Sequence, residues 1–324
     1  MATTGPAVPP LDKMFLIGIW IETALYGISC VVFSTALYVL LHKRSSQTRP
    51  LFLLLVSCSL FALATAHVGL VLRQLLEAFI YSPPGTATLY FADQSAPIPV
   101  AKLVLYSVNV FTQDMVLVWR LWIVWGRNWR IVIVPIILEC MHTAAAFIAE
   151  ARGAIPGIPV FDKILHRWAL VNWSLDLTVN IGVTAGIAYK LWSVGMTIQS
   201  LTGRNSNKYY GAILTVIESG GLFTTATLVT FSLYLSGQIA TVMAIDSVMQ
   251  LAVLTPLLII VRVGLGITHG SNTTAYASTA AATSTLPHAV SNSLASRQVR
   301  IDIQKSTTSN STYEMGKMQD GGKF

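Results

Sequence analysis

Residues 51–72 read LFLLLVSCSLFALATAHVGLVL, twenty-two positions without Asp, Glu, Lys or Arg. A helix crosses the roughly 30 Å of bilayer hydrocarbon with about 20 apolar residues, so this run is long enough to span. It shows no alternation of apolar and polar positions, and in lipid every backbone N–H and C=O must be bonded within the segment. A helix meets that demand and a lone strand does not. Working outward finds six more such runs, at 14–41, 98–124, 131–150, 168–192, 209–235 and 239–261. The expected fold is all-α: a polytopic membrane protein with seven transmembrane helices.

The composition agrees. Of 324 residues, 53% are hydrophobic and 11% charged, against about 25% charged in a soluble domain. The mean hydropathy is +0.62. A disordered protein and a soluble enzyme with one compact core are both excluded. The formal net charge of +7 is not a nucleic-acid signal, because the basic residues sit at the ends of apolar runs. Cys30, Cys58 and Cys140 all fall inside the runs, which predicts no structural disulfide. The first run is too long for a signal-peptide core and reads as an uncleaved span.

Orientation follows from Lys and Arg. Lys43, Arg44 and Arg49, then Arg127 and Arg130, then Lys190, Arg204 and Lys208 share one side with Arg262 and the basic residues of the tail. The other side carries Lys13, Arg73, Lys102, Arg152, Lys163 and Arg167, partly offset by Asp12, Glu77, Asp93, Glu150 and Asp162. The positive-inside rule then puts the N-terminus outside and the C-terminus in the cytosol. Trp125, Trp129, Trp168 and Trp192 stand at span ends as interfacial anchors. Three parts are expected: a short outer N-terminus, 1–13; a seven-helix domain, 14–268; and a Ser/Thr-rich cytosolic tail, 269–324, too polar to fold alone. The outer connections 73–97 and 151–167 read as loops.

Ionisable residues inside a span are expensive and mark function by default. Depth counted from the outer end of each run puts Glu22, Asp176 and Asp246 about seven or eight residues in, roughly 11 Å. His67 lies near the outer end of its run. These four are expected to form one outer layer around a cavity open to the outer side, binding an unidentified small polar or cationic ligand. Asp114, Arg120, Glu139 and Glu218 are assigned to an inner polar layer. The alternative is structural, with the same groups hydrogen-bonding across helices at about 1 kcal/mol or less each. Gly182 and Gly186 form a G-x-x-x-G for close helix approach, and Pro135 and Pro256 are expected to kink or start helices locally.

Several chemistries lack their residues. The seventh span has no lysine for a retinal Schiff base. No H-x-x-x-H or H-E-x-x-H spaces the six histidines as zinc ligands, and G-x-S-x-G and P-loop motifs are missing. No enzyme, metal or cofactor is expected. Seven spans with the N-terminus outside match G-protein-coupled receptors in topology only, since Trp119-Arg120-Leu121-Trp122 and Leu254-Thr255-Pro256-Leu257 replace that class's motifs.

The segments from Ile21 to Gly27, Leu63 to Val68, Gln113 to Arg120, Trp173 to Asp176, Val216 to Gly220 and Leu254 to Gly266 resemble uncharacterised seven-helix membrane proteins of mushroom-forming fungi, the basidiomycetes. The resemblance covers most of residues 14–268 and not the tail. It implies the topology and a fungal source, and no activity. The function expected from the whole is a receptor-like sensor in a membrane, the plasma membrane favoured. Its partners would be the lipid bilayer, the small ligand and a cytosolic signalling partner at the inner loops and tail. A transporter of small solutes or protons, using the intramembrane carboxylates, is the alternative.

Overall fold

The computed structural model of the chain describes residues 11–43, 51–158, 162–202 and 207–265. The tail 269–324, residues 1–10 and the loop cations Arg44, Arg49 and Arg204 lie outside the described residues. Among the described residues eight α-helices follow one another: α1 Leu11–Tyr38, α2 Leu51–Leu76, α3 Ala87–Ala92, α4 Pro97–Val124, α5 Trp129–Gly153, α6 Lys163–Thr202, α7 Asn207–Leu235 and α8 Ala240–Leu265. Among the described residues there is no strand. Seven of these described helices, all but the short α3, are long and apolar enough to cross a membrane.

The helices outrun the apolar stretches that announce them. α2 continues to Leu76 and then through a π-helical turn, Glu77–Tyr81. Most of the connection expected to be a loop at 73–97 is therefore helical. The cause is local: Arg73 Nε donates to Glu77 Oε1 at 2.7 Å one turn on, and hydrogen bonding continues past the point where hydrophobicity stops. α6 starts at Lys163, inside the predicted loop 151–167. Asp162 Oδ2 accepts the backbone N–H groups of Ile164 and Leu165, at 3.2 and 3.4 Å, and caps its first turn. Asn128 does the same for α5, accepting from the N–H of Arg130. Between α7 and α8 the chain reverses at Gly237, where φ is 63°. The N–H of Gln238 reaches back to the carbonyl of Leu233, the Schellman closure that glycine permits.

Packing makes a ring. α1 lies on α2 and α8, α2 on α4, α4 on α5, α5 on α6, α6 on α7, and α7 on α8. α4 also reaches across to α6 and α8. α8 is the innermost helix, with 67% of its most apolar window buried against 17% for α6. Gly18 of α1 lets α8 come close: a Cβ there would stand 2.9 Å from Met243 Cα of α8. One apolar cluster joins Ala36, Leu60, Ala64, Val253 and Leu257 between α1, α2 and α8. A second joins Leu117, Leu121, Val179 and Val183 between α4 and α6, with Val132 of α5. In the G-x-x-x-G of α6 only Gly186 is close to a neighbour, with a Cβ 3.1 Å from Leu121 Cδ1.

The outside of the bundle is apolar. Leu16, Trp20, Ile28 and Val31 of α1, Leu55 of α2, and Ile133, Val134 and Ile137 of α5 all stand exposed. The inside carries ionisable groups, with Glu22, His67, Lys102, Asp114, Glu139, Asp176 and Asp246 buried. An apolar exterior around a polar interior is the build of a multi-pass integral membrane protein, whose solvent is lipid.

Candidate functional site

Among the described residues, three polar clusters occupy the interior, each where three helices meet. The first joins α1, α2 and α8. His67 Nδ1 lies 2.7 Å from Glu22 Oε1, and Gln250 Nε2 donates to the same oxygen at 3.1 Å. The inward face of α1 recurs at Phe15, Ile19, Glu22, Ser29 and Ala36. Glu22 therefore faces the bundle by helical period.

The second cluster joins α2, α4 and α8. Lys102 Nζ stands 3.1 Å from both carboxylate oxygens of Asp246 and donates to Gln74 Oε1 at the same distance. It also lies 5.7 Å from the centre of the Phe15 ring. Both charges are almost fully buried, so the pair compensates a desolvation that neither group could bear alone.

The third cluster joins α4, α5 and α6. Asn180 Nδ2 donates to Asp114 Oδ1 at 3.1 Å and to Asp176 Oδ1 at 2.8 Å, holding the two acids side by side. Glu139 Oε1 lies 3.2 Å from His142 Nδ1. One donor atom each from Asp114, Glu139 and His142 falls within 4.8 Å of the others. Asp114 Oδ2 and Glu139 Oε2 are buried without a hydrogen-bond partner.

A cavity of about 180 Å³ opens at the α3 end of the bundle, between α4, α5, α6 and α8. It has an order of magnitude more room than one water needs. Its walls include Phe15, Tyr106, Ala146, Ala149 and Trp173, and its polar groups include Lys102, Asp246, Glu150 and Asn172. Ser107 donates to Glu150 Oε1. Glu150 Oε2 and Asn172 Oδ1 are buried acceptors without a partner, so this cavity is short of donors. α3 borders it through Gln94 just beyond its end, and is pinned by Phe91 stacked 4.3 Å from Phe15. Tyr90 donates to Glu77 Oε2 at 2.8 Å. Burial, and then that acidic partner, push the Tyr90 phenol up to about 12.

The expected outer layer of four does not form as one group. Glu22 and His67 meet each other, Asp246 pairs with Lys102, and Asp176 joins Asp114 through Asn180. Of the four, only Asp246 lines the cavity. The reason is the extra helix length: α2 and α6 begin or end several residues beyond their apolar runs, which puts His67 and Asp176 deeper than the run ends implied. The expected inner layer divides as well. Asp114 and Glu139 join Asp176, while Arg120 donates to the Pro256 carbonyl at 3.3 Å. Glu218 makes a two-pronged pair with Arg262 on a half-exposed edge.

Lys102 and Glu150, counted as outer-side loop charges, are cavity groups. So are Gln74, which drew no notice in the sequence, and Asn172, which reads there only as an unused glycosylation pattern with Ser174. A signal existed. Lys102, Tyr106, Asn109 and Gln113 recur at helical spacing along α4, and Glu139, His142 and Glu150 lie along one side of α5. Polar periodicity inside a span marks the inward face, where depth alone does not. No family model matches the chain, and no curated protein matches its sequence.

Proposed function

We propose that this multi-pass membrane protein is a receptor-like sensor whose ligand, a small amphipathic amine, occupies the cavity at the α3 end. The observation that carries the reading is the pair of unpartnered buried acceptors, Glu150 Oε2 and Asn172 Oδ1, in a cavity with aromatic walls. A cationic N–H donor would satisfy both, and Tyr106 and Trp173 suit its apolar part. Lys102 and Asp246 neutralise each other and supply a polar wall. With the N-terminus outside, as the loop cations argue, the cavity faces the exterior and the basic loops face a cytosolic partner. The resemblance to basidiomycete seven-helix proteins fits this topology and leaves the ligand open.

Trp173 supplies the test. Titrating protein in nanodiscs with phenethylamine is expected to change tryptophan emission saturably. Glu150→Gln should weaken that response about tenfold or more, the size of a lost charge-assisted bond. An isosteric carboxylate, 3-phenylpropionate, should have no effect. If the parent protein responds to no amine, or equally to the carboxylate, the reading fails. Tags at the N-terminus and in the tail should be reached from opposite sides of the membrane.

A second reading, a carrier, is favoured by one observation: the acidic cluster of α4, α5 and α6 lies one turn beyond the cavity wall. Asp176 follows Asn172 by one turn, and His142 precedes Ala146 by one turn. Amine or proton flux into sealed vesicles containing the protein distinguishes a carrier from a sensor.

A further inference from the structure

We infer that Asp114, Glu139 and His142, with Asp176 beside them, form a site for one divalent transition-metal cation in the middle of the bundle. This is independent of the amine reading. The ligand set is mixed and its geometry suits a cation. Glu139 and His142 are three residues apart on α5 and project from the same side of that helix. A Glu-x-x-His pair facing the core of a helix bundle is a recurrent way for such bundles to hold a metal. Asp114 enters from α4. The three donor atoms lie within 4.8 Å of one another, the reach of ligands placed about 2.0–2.4 Å from a common ion.

Charge balance points the same way. Three carboxyl groups and one imidazole share a layer in which each of the four side chains is buried. No Lys or Arg among the described residues forms an ion pair with any of them. The second cluster meets the same problem with Lys102. Here Asp114 Oδ2 and Glu139 Oε2 have no protein N–H or hydroxyl donor, although buried polar atoms ordinarily find one; the two carboxyl groups face each other and can bond only by holding a proton or a cation between them. A bound cation would take up both oxygens and offset the negative charge.

The donor types narrow the ion. Mg²⁺ and Ca²⁺ prefer all-oxygen shells, and an imidazole nitrogen shifts preference toward Mn²⁺ or Zn²⁺. Asn180 acts from outside the ligand set, bonding Asp114 and Asp176 at once and fixing their spacing. The cavity supplies a way in: Asn172 and Ala146 on its wall each lie one turn from the cluster, on α6 and α5.

The test uses the full chain, purified in detergent, stripped with a chelator and titrated with MnCl₂ or ZnCl₂. One equivalent per chain is expected, with Tm raised by about 5 °C at saturating metal. Pulsed EPR of the Mn²⁺ form should show coupling to one imidazole ¹⁴N. Glu139→Gln and His142→Ala should each weaken binding at least about tenfold, and Asn180→Leu about 10- to 100-fold. Glu150→Gln, which touches only the cavity, should bind metal like the parent, so failure here is separable from failure of the amine reading. The EPR result on the parent alone decides the matter should the variants misfold. Less than a tenth of an equivalent bound, undiminished binding in both ligand variants, or no ¹⁴N coupling would each overturn the proposal; in the first case protons alone neutralise the cluster.

Discussion

Glu22, His67 and Gln250 on one side of the bundle, and Asp114, Glu139, His142, Asp176 and Asn180 on the other, use the same chemical ingredients. Each has a histidine beside a glutamate and an amide that donates to a carboxylate. They differ in arithmetic. The α1–α2–α8 cluster sets one acid against one histidine and one amide, so its charge nearly balances within the protein, although Glu22 Oε2 and Gln250 Oε1 are buried there without a partner. The α4–α5–α6 cluster sets three acids against the same two partners. A balanced buried network ties helices together, and an unbalanced one needs something from outside. The Lys102–Asp246 pair between them shows the third solution, a cation built into the chain.

The largest effect should come from unbalancing that pair. Asp246→Ala strands a buried ammonium and is expected to cost about 3–5 kcal/mol, measured by unfolding in mixed micelles. The double variant Lys102→Met/Asp246→Leu should recover most of it, because it removes both charges. If the single and double variants lose the same stability, Lys102 is not paired in the membrane.

The comparison itself is broken or sharpened next. Glu22→Ala removes the acceptor that His67 and Gln250 share and should cost about 1–3 kcal/mol with or without metal. Asp114→Asn should behave differently. In chelator-stripped protein it takes one acid out of a crowded acidic cluster while an amide oxygen can still accept from Asn180, so stability should hold or rise. In metal-loaded protein the same substitution should destabilise. Equal losses for Glu22→Ala and Asp114→Asn in stripped protein would mean that the two clusters do the same structural work.

Packing gives the smaller effects. Gly18 lies one turn before Glu22, and an added Cβ meets the Met243 backbone. Gly18→Ala is expected to push α1 from α8, stretch the Glu22–Gln250 bond and cost about 1–3 kcal/mol. Gly182 meets nothing within 4 Å, so Gly182→Ala should be neutral or stabilise by up to about 1 kcal/mol through helix propensity. A loss there comparable to that at Gly18 would show that α6 packs against something beyond the bundle.

The sequence by itself determined seven apolar helices, because a bilayer filters segments by length and hydrophobicity and both are properties of a short window. It also determined which spans carry buried acids, since a charge in lipid costs about 3 kcal/mol and has to face inward; Glu218 is the exception, paired with Arg262 on a half-exposed edge. Who meets whom was decided only by the tertiary structure. Depth counted from run ends grouped Glu22, His67, Asp176 and Asp246, yet helices continue wherever hydrogen bonds and caps allow, as Asp162 does for α6 and Arg73–Glu77 for α2. Those added turns shift depth by several residues, and rotation about each helix axis sets the partner. The same rotation brings Lys102 and Glu150 inward from positions that hydropathy assigns to the rim. A one-dimensional pattern holds the period of each helix but not its phase against its neighbours. That phase follows from close contacts such as Gly18 on Met243 and Gly186 on Leu121, which exist only after the chain has closed its ring.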